Sequence, residues 1–148
     1  MSSALPWLFL TALCGGALSV QVGANSALAR TLGHPLWATA ASFGTGLIAL
    51  TAVLLVARPS WSTSGLDALP WWAWSGGAIG AAYVTCATSA APRLGAGTLT
   101  ASVVAGQMIA SLLLDHFGKV GFPIHRVSVG RIAGAALVLG GVVLIKRF

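Results

Sequence analysis

The sequence predicts an all-α integral membrane protein with five transmembrane helices, and three observations predict it. Only 7% of its 148 residues are charged, where a soluble domain carries roughly 25%. Mean hydropathy is +0.90, and the uncharged runs are long enough to cross a bilayer, which takes about 20 residues each. Prolines and tryptophans also gather at the edges of those runs and avoid their middles. A chain this poor in polar side chains cannot cover itself with a water-compatible surface.

The first helix is expected from Leu5 to Ala29. Small residues follow its apolar start, as in a secretory signal, but the n-region has no Lys or Arg and the low-charge stretch continues. A retained helix is therefore expected. The second runs from Pro35 to Ala57, the third from Pro70 to Ala91, the fourth from Ala96 to His116 and the fifth from Val127 to Ile145. Pro6, Pro35 and Pro70 stand where a helix begins and a missing N–H costs nothing. Pro59 and Pro92 follow helix ends, and Pro123 lies in the fourth connection. Trp7, Trp37, Trp71, Trp72 and Trp74 mark helix starts, where an amphipathic ring prefers the interface. All 148 residues are read as one membrane domain.

Charge then bears on orientation and partners. The net +6 invites a nucleic-acid reading, but the basic residues fall between apolar runs and form no face that could track phosphates. No nucleic-acid partner is expected; basic residues at span ends meet lipid head groups. Counting five crossings puts Arg58, Lys119, Arg126 and Arg131 on the N-terminal side. Arg30, Arg93, Lys146 and Arg147 fall opposite. Orientation follows Lys/Arg bias, and this count has none. Three readings stay open: one orientation set by other features, insertion both ways with pairing to an inverted copy, or an oppositely oriented homologous subunit. An odd number of helices adds that two such units would form a ten-helix inverted-repeat assembly, a common plan for alternating-access transporters.

Polar residues inside the spans are the candidate substrate path. Gln21 and Asn25 are four apart and share a face. Gln107, Ser111 and Asp115 repeat that spacing, and Tyr83 offers a hydroxyl in the third span. Amides in hydrocarbon need partners, so these faces should meet protein or a wet cavity. They either bind solute or tie helices together. Asp115 is the one acid beside a span, since Asp67 lies in a connection. It either neutralises Arg131 or couples to a proton or a cationic substrate, and neighbouring His116 could tune either arrangement, since imidazole changes charge near neutral pH. Cys14 and Cys86 lie at different depths, so no disulfide is expected. No metal-ligand cluster, carboxylate pair or phosphate loop appears. The sequence therefore gives no catalytic residue, metal site or cofactor, and no enzyme is expected.

Several stretches together are specific. Gly16 to Asn25 (GALSVQVGAN), Gly33-His34-Pro35 and Ser42-Phe43-Gly44 resemble the start of the short bacterial DUF606 (YdcZ-like) family, within the drug/metabolite transporter superfamily. Trp71-Trp72-Ala73-Trp74, Gly76-Gly77, Pro92-Arg93-Leu94-Gly95, Gly106-Gln107, Asp115-His116-Phe117-Gly118 and Arg131-Ile132-Ala133-Gly134 extend the likeness over nearly the whole chain. The resemblance implies a five-helix half-unit in a bacterial inner membrane, moving an unidentified small molecule. The more distant small multidrug resistance transporters have an essential glutamate in their first helix. This chain has no glutamate, which weakens any carry-over of proton-coupled export of lipophilic cations and leaves Gln21 and Asn25 in the corresponding region without an ionisable group. A secondary transporter or permease working as an antiparallel dimer is the leading expectation. A non-transporting membrane subunit and a small channel are the alternatives.

Overall fold

A computed structural model describes residues 4–148. The helices are α1 (Leu5–Leu32), α2 (Pro35–Ala57), α3 (Gly76–Phe117) and α4 (Val129–Arg147). Two short 3-10 turns, Leu66–Ala68 and Trp71–Ser75, precede α3. The chain divides into two compact units, Met1–Arg93 and Leu94–Phe148, and each is described by itself.

Four helices among the described residues are long and apolar enough to span a membrane, not five. The expected third and fourth spans fall in one helical stretch, Trp71–Phe117. Pro92 and Gly95 suggested a connection because both residues punctuate helices. The backbone instead stays helical through Pro92, Arg93 and Leu94, and only Gly95 leaves it, at φ 75° and ψ 160°. Proline removes the N–H that would reach the Thr88 carbonyl one turn back, but that loss alone does not end a helix. The five-span expectation is thereby corrected, along with the ten-helix assembly built on it. The four-against-four division of cations is withdrawn too, because it counted five crossings.

Local chemistry explains the other boundaries. α1 runs past Ala29 to Leu32 and stops at Gly33, whose φ of 79° is left-handed, a conformation glycine adopts without strain. His34 then caps α2: its Nδ1 accepts a hydrogen bond from the Leu36 N–H at 3.1 Å, and Pro35 opens the helix. The α2 limits coincide with those expected from sequence. The third span opens with a 3-10 turn over Trp71–Ser75, so its α-helical part begins at Gly76 and not at Pro70. At α4, the Ser128 hydroxyl accepts from the Arg131 N–H at 3.4 Å.

Burial runs opposite to that of a soluble protein. Leu8, Phe9, Leu47, Ile48, Leu55, Leu137 and Val143 are exposed, whereas Asn25, Ser26, Thr39 and Thr88 are buried. The buried apolar residues are mostly small: Ala38, Ala87, Ala105 and Ala135, with Val84 and Leu99. Lipid is as apolar as leucine, so leucine gains nothing by moving inward. Small residues let backbones approach, and polar ones take the positions lipid cannot satisfy. Trp7, Trp37, Trp71 and Trp74 remain exposed, as interfacial rings should.

Candidate functional site

In the Met1–Arg93 unit, α2 carries polar side chains in two directions. On one side the Gln21 amide of α1 lies 3.5 Å from the Ser42 hydroxyl, at the long limit of a hydrogen bond. Asn25, one turn along α1 from Gln21, is buried together with Ser26. On the other side the Thr39 hydroxyl lies 2.9 Å from that of Thr85 in α3. Thr39 also contacts the Pro35 carbonyl at 3.1 Å, and Thr85 the Ala81 carbonyl at 2.8 Å. Ser42 and Thr39 are three residues apart, so they occupy adjacent positions around α2. α2 is thus the middle member of an uncharged polar seam.

An open pocket of about 610 Å³ adjoins the threonine pair. Leu36, Thr39, Ala40 and Phe43 line it from α2; Ala81, Ala82, Thr85 and Cys86 line it from α3. Both sets follow helical spacing, one stripe from each helix. Gly80 faces the Phe43 ring, where an added Cβ would make ordinary van der Waals contact at 3.5 Å. The volume falls within the usual range for small-molecule sites, roughly 300–1,000 Å³.

The Leu94–Phe148 unit holds a different kind of cluster. Asp115 Oδ2 pairs with the Arg131 guanidinium. Arg131 Nη1 also donates to the His125 carbonyl at 3.0 Å, while the His125 N–H donates to the Asp115 carbonyl at 2.8 Å. His116 Nδ1 accepts from the Val127 N–H at 3.3 Å. These bonds tie the end of α3 to the start of α4 across a short connection. Gly118 makes that turn at φ 58°, where a Cβ would come within 2.5 Å of Ile124. The arrangement can hold two helix ends in register.

The remaining sequence candidates are on α3. Tyr83 is half-buried in α3. Gln107 and Ser111 are exposed further along it, and the Ser111 hydroxyl donates to the Met108 carbonyl at 3.0 Å. Gln21 and Asn25 belong to one unit, Gln107 and Ser111 to the other. The threonine pair was missed by sequence reasoning. Its signal was present: Thr39 lies one turn after the Pro35 helix start and one before Phe43, but a lone hydroxyl in a span reads as helix glue.

Among the described residues no group of three or more His, Cys, Asp or Glu could hold a metal. Cys14 and Cys86 are both free and exposed.

An apolar helical protein with an uncharged polar seam and a pocket inside it belongs with polytopic carriers of small molecules. The family described as "Putative inner membrane exporter, YdcZ" matches residues 6–144, and the chain belongs to it, within the drug/metabolite transporter superfamily. It is 32% identical over 108 residues to "Inner membrane protein YdcZ" of Escherichia coli (strain K12), covering 68% of this chain and 72% of that protein. No solved structure matches it. The chain is therefore a multi-pass bacterial inner-membrane protein of a small-molecule transporter class.

Proposed function

We propose that the protein is a secondary transporter that exports a small molecule by alternating access, paired with a copy of itself or a homologue in inverted orientation. The observation that carries this reading is the seam of Gln21, Asn25, Ser42, Thr39 and Thr85 beside a pocket, within spans otherwise turned out to lipid. Polar groups in hydrocarbon are costly and mark solute pathways. Tyr83 in the first unit and Gln107 and Ser111 in the second are further candidates for contact with the solute, and the direction follows the exporter description of the family. Asp115, His116 and Arg131 hold the end of α3 to the start of α4 within the second unit.

Inverted pairing is supported by positive charge at both ends of single helices. Arg30 precedes α2 and Arg58 follows it; Arg131 lies in the first turn of α4, and Lys146 and Arg147 in its last. Juxtamembrane Lys and Arg resist translocation, so such helices have little directional preference. Single cysteines at Leu32 and Ser64, in a background lacking Cys14 and Cys86, flank α2 at its two ends. An impermeant thiol reagent applied to intact cells should label a fraction of each. Labelling of one site alone would remove inverted self-pairing.

Export itself is tested by expressing the chain in an efflux-deficient bacterial host and measuring tolerance to a panel of toxic small molecules. At least one compound should be tolerated better, and Gln107→Leu should reduce that gain at unchanged membrane abundance. No gain for any compound, with folded protein in the membrane, would contradict the reading.

A further inference from the structure

We infer that the pocket between α2 and α3 takes an electrically neutral, largely apolar molecule bearing a hydrogen-bond donor, which it presents to Thr39 and Thr85. This inference rests on the transport reading and names the substrate class for it. Charge comes first. The chain has two acids, Asp67 and Asp115; Asp67 lies in the 3-10 turn Leu66–Ala68, and Asp115 is bonded to Arg131 in the other unit. The pocket lining itself contains no charged side chain. A cation entering it would lose its hydration without gaining a counter-ion, and an anion would fare no better. A neutral molecule incurs neither loss.

Proton counting supplies the donor. Two threonine hydroxyls have two protons between them, yet three contacts are within bonding distance: Thr39 to Pro35, Thr39 to Thr85, and Thr85 to Ala81. If each hydroxyl donates to its own helix carbonyl, the 2.9 Å oxygen–oxygen contact has no proton in it. However the two protons are shared, both oxygens keep lone pairs and neither has a proton to spare, so the pair can accept from a solute's donor but cannot donate to it. Thr39 is 95% buried by its 5% residual exposure, which denies bulk water the donor's role from its own side. The Phe43 ring and the small alanines then provide a wall suited to an aryl or branched alkyl body.

Cys86 lines this pocket and is a free thiol, so it reports occupancy directly. With Cys14→Ala removing the other thiol, the rate of Cys86 modification by N-ethylmaleimide is measured on purified protein at slightly acid pH. Two probes of matched shape are compared: uncharged 3-tert-butylphenol and cationic 3-hydroxyphenyltrimethylammonium. At about ten times its Kd the phenol should slow the reaction roughly tenfold, because only unoccupied protein reacts. The cation should leave the rate unchanged, and Thr39→Val with Thr85→Val should abolish protection by the phenol. Equal protection by both probes, protection by the cation alone, or protection by neither would overturn the inference. So would a rate that falls with protein concentration in the absence of probe, which would give the pocket to a second copy. The assay requires no flux: protection without transport would sink the export reading and leave this one standing, and transport without neutral-selective protection would do the reverse.

Discussion

The two units solve the problem of polar groups in a membrane protein in opposite ways. In Met1–Arg93, amides and hydroxyls meet within spans and no charge is involved. In Leu94–Phe148, a carboxylate and a guanidinium meet where one helix ends and the next begins. A neutral hydrogen-bonded pair is cheap to make and cheap to open, averaging about 0.6 kcal/mol in membrane helices. An ion pair losing one partner leaves an uncompensated charge and costs more. The first arrangement suits a surface that exchanges partners with a solute. The second suits a clamp.

Substitutions that set the two arrangements against each other sharpen the contrast. Asp115→Asn should destabilise the protein most, by roughly 1–3 kcal/mol, since the pair lies near a span end and is partly solvated. Adding Arg131→Gln should recover part of that loss in a denaturant double-mutant cycle; strictly additive losses would show that the two do not interact. Gly118→Ala should cost about 1–2 kcal/mol, because alanine resists the left-handed backbone and its Cβ would press on Ile124. A thermal melt equal to wild type would break that part of the account. Thr39→Val or Thr85→Val should cost under about 1.7 kcal/mol, the upper end for such pairs, and the two changes together should cost less than their sum. Gln21→Leu should scarcely alter stability, since its 3.5 Å contact with Ser42 is weak; a loss comparable with that of Asp115→Asn would make Gln21 a structural residue.

The sequence revealed these features unevenly. α2 could be placed from Pro35 at one end and Arg58 at the other, because proline starts and a charge stops an apolar run. α1 was underestimated by one turn: Arg30 looked like a boundary, but an arginine at a helix end is favoured by the helix dipole, and Gly33 is the residue that breaks the helix. Pro92 and Gly95 misled for the opposite reason. The backbone stays helical past Pro92 and only Gly95 departs from it, so a kink stands where a four-residue connection was expected. Asp115 could be matched with Arg131 because one apolar run ends and the next begins on the same side of a short connection, which puts the two at one level. Thr39 and Thr85, 46 residues apart, could not be matched, since pairing hydroxyls across helices requires the rotation of each helix about its axis. Nothing in the spacing of a uniformly apolar helix fixes that rotation.

The most direct test of the claim that the uncharged seam carries the solute, and the charged cluster only holds the fold, is a paired comparison of tolerance and stability. Gln21→Leu combined with Thr85→Val, and separately Asp115→Asn combined with Arg131→Gln, would be expressed in the efflux-deficient host at matched membrane abundance. Each would also be purified and melted. The seam variant should lose the tolerance conferred by wild type while its Tm shifts little. The charge-cluster variant should keep most of that tolerance while its Tm falls. Retained tolerance in the seam variant, with tolerance abolished in a charge-cluster variant of unchanged Tm, would contradict it and move the transport chemistry to Asp115 and Arg131.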